Sequence, residues 1–526
     1  MPGVAQTVEN EPGKPFQRLE LELEDPRGVT HEVHVYEAYW APLTEGNVTL
    51  RETMGFLLGG GFNGLANSGT FKRWLFGKYQ SFAIPVRTVL YLLVTVAVIA
   101  SLMVLNATIG LAAAARFVLT SQPAWLSNSL FADLTTTFNF VIAWMAVFAA
   151  SLLIAMVLRR LKVPSAVRHL WGAVAVLFFV SALFVTIGAG GAVPALVYGH
   201  LKDKGGDTEI WKALLDGDQV KAFNLGFDRV TFWLLATVVL GALGWSVVRL
   251  LLSVLRQIGE ERRGRWWTVF VTTAFTAIVA GLVAEGWAFG SYFQRDASAG
   301  PMAIALRGLS WPILIIASAF IRKLLVQFLG DVAVYVTSNK LDRFFKIRQE
   351  IKDTVRSALL AVYERKEADG RGYDQVVVVG HSLGSVIVYD ALNGLINEDL
   401  LNGGKLDVIG RTPLLLTSGS PLDKLAFLFA LQKNETDEAR EALAASVQPL
   451  LEHYALRPQR WVNIYSPWDI ISGKLIFFDL PGQEYPDNSQ GVENCVDPDA
   501  TTLLIAHTEY WENPLLFETI FKQVTQ

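Results

Sequence analysis

A chain of 526 residues exceeds one ordinary domain, which averages roughly 100–200 residues. With 52% hydrophobic and only 18% charged residues, it carries more apolar surface than a soluble enzyme of this size needs, which calls for membrane spans. A net charge of −4 excludes nucleic-acid binding by bulk charge, and the single cysteine, Cys495, excludes an internal disulfide.

Residues 1–24 contain no apolar h-region, so no cleavable leader is expected there. Residues 18–24 alternate strictly, with Leu19, Leu21 and Leu23 on one face and Glu20, Glu22 and Glu24 on the other, as in a half-buried strand. Pro26-Arg27-Gly28 is a turn, and residues 32–40, rich in Val, Tyr and Trp, form a second strand. A glycine-rich, weakly amphipathic stretch follows over 54–65, and both it and 71–76 are candidates to line an approach to a site.

Residues 88–115, 134–158, 170–199, 230–248 and 266–284 carry no charge, and 301–321 carries only Arg307. Each is long enough for the ~20 helical residues that cross a hydrocarbon core. Six spans are therefore expected. Lys72, Arg73, Lys78 and Arg87 precede the first; Arg159, Arg160, Lys162 and Arg168 join the second and third; five arginines from Arg249 to Arg265 join the fourth and fifth; Arg322 and Lys323 follow the sixth. The alternate loops are poorer in bases, which puts both termini and the C-terminal region in the cytoplasm.

Beyond Asp331 the chain turns soluble. Ile347, Ile351, Val355, Leu359 and Val362 recur at helical spacing, and Asp369-Gly370 ends that helix. Residues 376–379 are four consecutive valines, as in a strand buried on both faces, and 383–396 reads as a helix. Residues 414–416 and 461–465 are further strands, with helix over 424–454 between them, and the apolar run 501–506 reads as the last strand. Strands alternating with helices define a mainly parallel α/β sheet. Three regions follow: 1–80, strands and an amphipathic segment expected to join the sheet; 81–330, an all-α membrane bundle of about six helices; and 331–526, the α/β region.

The sharpest chemical signal is Gly380-His381-Ser382-Leu383-Gly384, a G-x-S-x-G between a strand and a helix. In that context the serine sits on a strained turn that pushes its hydroxyl above the sheet. Small residues at 380 and 384 let strand and helix approach, and the Leu383 N–H can face an oxyanion. A serine nucleophile needs a base, and the base an orienting acid, in chain order Ser, Asp or Glu, His. Of the two later histidines, His453 lies in a helical stretch, whereas His507 follows the last strand, where the base belongs. Asp469 follows the strand at 461–465; Asp423, after Ser418-Gly419-Ser420-Pro421, is its competitor, and Asp390 on the helix after Ser382 reads as a solvated carboxylate.

Gly-His-Ser-Leu-Gly resembles the nucleophile pattern of α/β-hydrolase-fold lipases and esterases. Thr417-Ser418-Gly419-Ser420-Pro421 is similar to a strand end of lipase-like members, and Ala506-His507-Thr508-Glu509-Tyr510-Trp511 to the histidine segment of bacterial ones. The resemblance covers residues 373 to about 521, more loosely 32–43, and none of the spans. It implies an α/β-hydrolase fold and ester hydrolysis through an acyl-serine with no cofactor and no metal; the strand character of 18–40 and the even number of spans lead us to expect that the membrane bundle interrupts that fold. Such enzymes also carry a His-Gly loop that supplies a second oxyanion donor. This chain has no His-Gly dipeptide, and Gly3-Val4-Ala5-Gln6 is the candidate remnant of that loop. The expected partners are the bilayer and a lipid or other acyl ester; nothing in the sequence sets the oligomeric state. Two rivals compete: a transporter, for which Glu285 and Arg307 are the only intramembrane charges available, and a hydrolase domain kept as a binding module.

Overall fold

The structure, a computed structural model, describes residues 4–9, 15–43, 70–83, 85, 88–89, 94–106, 128–161, 163–202, 315–316, 343–366, 370, 372–431, 442, 445–503 and 505–526. The chain divides into two compact units, Met1–Leu93 with Leu324–Gln526, and Val94–Lys323.

In the first unit, β1 (Val4–Glu9), β2 (Pro15–Glu24) and β3 (Thr30–Tyr36) form an antiparallel sheet in that order. Leu19 lies opposite Val35 and Leu21 opposite Val33, so the alternation in the sequence does mark a strand. The turn between β2 and β3 is closed by the Asp25 carboxylate, which accepts from the N–H of Arg27 (2.8 Å) and of Val29 (2.9 Å). Among the described residues these strands pair with one another, in a sheet separate from the parallel one they were expected to join. Side chains connect them to the later sequence. Tyr373 Oη lies 2.6 Å from both His34 Nδ1 and Tyr36 Oη.

A second hairpin pairs β4 (Thr70–Leu75) with β5 (Lys78–Ala83) through the two-residue turn Phe76-Gly77, both at positive φ (50° and 75°), as the right-handed strand twist favours. Phe71 packs against Phe82, Phe427 and Phe477, so Phe71 and the buried Leu75 of the 71–76 segment contribute to a core. The 54–65 stretch lies outside the described residues.

The remaining strands, β6 (Val378–His381), β7 (Leu414–Ser418), β8 (Arg460–Tyr465) and β9 (Val492–Val496), form a four-stranded sheet, all parallel, in the order β6-β7-β8-β9. Every residue of β7 is buried, as expected of a strand covered on both faces. One register carries a polar row through this apolar sheet. Thr417 Oγ1 lies 3.2 Å from Asn463 Oδ1, and Asn463 Nδ2 donates to Asn494 Oδ1 at 2.9 Å. β9 replaces the last strand expected at 501–506. The described residues of that run form no strand; the N–H groups of Thr501 and Thr502 are taken by the Glu509 carboxylate (2.9 and 3.2 Å).

In the C-terminal part of the first unit, α3 (Arg343–Glu364) and α4 (Leu383–Leu401) flank the sheet, where Arg348 and Lys352 pair with Asp390 (3.8 and 2.7 Å), so Asp390 is partnered rather than solvated. Three shorter helices, α5 (Leu422–Leu431), α6 (Pro449–Glu452) and α7 (Ala506–Glu509), precede the terminal α8 (Pro514–Val524).

The second unit holds α1 (Asn128–Arg160) and α2 (Ser165–Lys202), which contain two apolar stretches long enough to cross a membrane, Thr137–Arg160 and Ser165–Gly191. The helical segment Val94–Asn106, inside the first expected span, is shorter. Leu105, Phe138, Val141, Val185, Ala189 and Val193 pack into one cluster. A Cβ on Gly190 would lie 2.5 Å from Ser101 Cβ, so the glycine permits the helices to approach. The fourth and fifth expected spans and most of the sixth, with Glu285 and Arg307, lie outside the described residues.

Candidate active site

The carboxyl ends of parallel strands are where α/β sheets gather ligand-binding groups, and four segments meet there. Ser382 follows β6 directly and caps α4 with φ 55° and ψ −133°, a backbone conformation that a side-chain-bearing residue adopts only when its surroundings enforce it. Here its N–H donates to Ser418 O at 3.0 Å, and its carbonyl accepts the Ser385 N–H at 3.0 Å. Ser385 Oγ sits 2.6 Å from that carbonyl and 2.7 Å from Ser420 Oγ, which ties the turn to the end of β7. Leu383 opens α4, so its N–H is among the first-turn donors that a helix leaves unpaired and lies at the positive end of the helix dipole. The two glycines differ. A Cβ on Gly380 would lie 2.6 Å from Ser385 Cα, whereas one on Gly384 would meet nothing within 4 Å. Only Gly380 is required by close packing.

The structure brings Ser382, His507 and Asp469 together. His507 Nε2 lies 2.7 Å from Ser382 Oγ, and His507 Nδ1 lies 2.9 Å from Asp469 Oδ2. A carboxylate can only accept from Nδ1–H, so in the neutral ring Nε2 is the acceptor for the serine proton. His507 and Asp469 are buried, and Ser382 is half-buried. Burial pushes the Asp469 carboxyl up, but the hydrogen bond and charge of His507, with Ser472 and the Ile471 N–H, outweigh it and hold the group below its ordinary range. The Ile471 N–H donates to Asp469 Oδ1 at 2.8 Å.

The competitors are engaged elsewhere. Asp423 accepts the N–H groups of Ile476 (2.8 Å) and Phe477 (3.2 Å), and burial pushes its carboxyl up to about 7. His453 is exposed and takes the Ala455 N–H at 3.3 Å on Nδ1. His507 lies on the single turn α7 rather than in a loop after a strand.

Two neighbours take on roles beyond the motif: His381, expected only as part of the nucleophile turn, and Tyr510, to which the sequence assigns none. His381 Nε2 donates to the His507 carbonyl at 2.7 Å, and burial together with the nearby His507 lowers its pKa to about 4, so the ring stays neutral. The Tyr510 hydroxyl donates to Asp469 Oδ2 at 3.0 Å and accepts the Ser466 N–H at 2.9 Å. Both rings crowd Gly419, whose φ of 58° and missing Cβ make the space: a Cβ there would lie 3.1 Å from each. The spacing of Tyr510 three residues after His507 was the available signal. Among the described residues no cluster of three or more His, Cys, Asp or Glu could hold a metal ion.

The arrangement can pass a proton from Ser382 to His507 and stabilise the resulting imidazolium with Asp469. Compared with known protein families, curated proteins and solved structures, the chain matches none.

Proposed function

We propose that the chain is a membrane-anchored serine hydrolase that cleaves carboxylic esters on an α/β-hydrolase fold. The observation that carries this reading is the continuous hydrogen-bonded path Ser382–His507–Asp469, at 2.7 and 2.9 Å, beside a helix N-terminus. Ser382 Oγ attacks the acyl carbonyl while His507 Nε2 takes its proton. The oxyanion accepts from the Leu383 N–H, and His507 returns the proton to the departing alcohol, leaving an acyl-serine. Water then repeats the sequence and frees the acid. The scheme calls for neither cofactor nor metal.

Two helices of sufficient length and apolarity support the membrane anchor, and the six charge-free or nearly charge-free stretches of the sequence extend it to a bundle of about six spans. The distribution of Lys and Arg supports cytoplasmic termini and a cytoplasmic site. A site tethered at the bilayer favours lipid or other acyl esters that partition there. The test is fluorophosphonate labelling of the full chain in detergent, alongside hydrolysis of a panel of short-chain and lipid esters. Ser382→Ala is expected to abolish labelling and lower kcat by about 10⁴–10⁶-fold, since triad members act as a unit. Failure of the wild type to label, or undiminished hydrolysis by Ser382→Ala, would sink the assignment.

A further inference from the structure

The geometry points to Tyr510 as a positioning residue that fixes the Asp469 carboxylate and tunes the basicity of His507, an inference that rests on reading Ser382, His507 and Asp469 as a triad. Tyr510 continues the helical turn of α7 with φ −54° and ψ −33°. It follows His507 by three residues, so the two side chains leave the same face of one turn. Both reach the same atom: Asp469 Oδ2 lies 2.9 Å from His507 Nδ1 and 3.0 Å from Tyr510 Oη. The hydroxyl proton has a defined destination because the oxygen is already an acceptor. The Ser466 N–H donates to it at 2.9 Å, and Ser472 Oγ lies 3.1 Å away. Burial and the charge of Asp469 push the phenol up, which keeps it a donor.

Tyr510 also spans the turn that presents the acid. The Asp469 N–H donates to Ser466 O at 3.2 Å, closing that turn, and the phenol grips Ser466 at one end and the carboxylate at the other. The ring that delivers the hydroxyl is fully buried among Leu414, Leu416, Val462, Ile464 and Leu516. The Ile471 N–H donates to the other oxygen, Oδ1, so the carboxylate is held at both ends. A donor on Oδ2 draws negative charge from the oxygen that faces the imidazole. It therefore weakens the pull of Asp469 on the imidazolium proton, and removing the phenol donor should strengthen that pull.

The experiment measures the rate at which a fluorophosphonate modifies Ser382 of the full chain in detergent as a function of pH. In that step Oγ–P forms, P–F breaks, fluoride leaves and His507 takes the serine proton, so the acidic limb reports the base. Tyr510→Phe keeps the ring and removes the donor; its acidic limb is expected to move up by about 0.5–1 pH unit, hydrogen bonds to the charged form being what keeps a carboxylate acidic. Replacing Tyr510 with 3-fluorotyrosine keeps the hydroxyl and makes it a stronger donor, so the limb is expected to move down. Opposite shifts support the proposal. A limb that stays with the wild type in the folded Phe variant overturns it. If Tyr510→Phe does not fold, the fluorinated protein decides, and an unmoved or upward limb there overturns it. A wild type that does not label removes the triad reading itself, whereas a labelled wild type with unmoved variants removes only the role of Tyr510.

Discussion

Alanine at position 380 puts a methyl carbon 2.6 Å from Ser385 Cα and 2.6 Å from Val388 Cγ2, where ordinary contact begins at 3.4 Å. The first of these atoms belongs to the backbone of α4 and cannot rotate aside. β6 and α4 must therefore separate by most of an ångström, and Ser382 lies between them. Overpacking of this kind costs about 1–3 kcal/mol. The larger effect is expected at Ser382 Oγ, now 2.7 Å from His507 Nε2, because a displacement of ~1 Å costs ~10²-fold in rate. Gly384→Ala is the matched control four residues on. Its methyl meets no atom within 4 Å, and alanine is favoured over glycine within a helix by up to about 1 kcal/mol. The assay pairs thermal denaturation with the rate of fluorophosphonate labelling at neutral pH. Gly380→Ala should melt lower and label about 100-fold more slowly, whereas Gly384→Ala should melt no lower and label within about threefold of the wild type. Equal effects from the two substitutions would refute the reasoning, since the sequence motif alone does not distinguish the glycines and only the packing does.

His381 is kept neutral in the folded chain, with its pKa lowered from 6.5 to about 4 by burial and by the neighbouring His507. As pH falls through that window the unfolded chain takes up a proton that the folded chain refuses, so stability contributed above the window is lost on acidification. His381→Gln, which keeps an N–H for the His507 carbonyl, should flatten the fall in melting temperature between about pH 6.5 and 4; parallel curves for the two proteins would rule the effect out. For topology, a reporter active only outside the cytoplasm and fused after Gln526 should be silent, and an active one would reverse the orientation drawn from the Lys and Arg flanks.

Local physics made the serine turn readable: a valine run, a glycine and a helical stretch can be joined only by a tight turn, and β6 and α4 meet there. Asp469 was placed by the strand before it, and β8 does run Arg460–Tyr465. The position of His507 follows from a strand expected at 501–506, where the described residues form none. Its apolar residues have the composition of a strand, but the partner that claims its N–H groups is the carboxylate of Glu509, a side chain that no periodicity reveals. β9 carries no clear signal in the sequence because Val492–Val496 is short, half-buried and interrupted by the adjacent polar residues Glu493 and Asn494. The alternation in β2 identified a strand correctly but carried no information about its partner; pairing is decided by the neighbouring hairpin strand β3. The roles of Tyr510 and His381 depend on contacts with Asp469, 41 residues away, and with the His507 carbonyl, 126 residues away, beyond the reach of a local pattern.

The N-terminal region reaches the candidate site by another route than shared strands. Asp469 stands in the long connection between β8 and β9, and such a segment holds a carboxylate in line with a histidine only if it is braced. Several braces converge on it. From α5, Asp423 takes the N–H groups of Ile476 and Phe477, and Lys424 Nζ donates to the carbonyls of Ile470 and Ser472. From β9, Asn494 binds the N–H of Leu475 at 2.8 Å and its carbonyl at 3.1 Å. From β4, Arg73 donates to the Phe477 carbonyl and lies 4.3 Å over the Phe478 ring, while Phe71 packs edge-on against Phe477. The fully buried Arg457 pairs with Asp479 at 2.7 Å and sits against Phe76 of the hairpin turn, so the same hairpin and the same connection share one buried charge. A charge pair without access to water is costly to break by losing one member, which makes this contact a strong fastening. The hairpin that precedes the apolar middle of the chain therefore acts as a buttress for the connection that carries the acid, and the two ends of the sequence are joined in one compact unit by side chains packed against that connection.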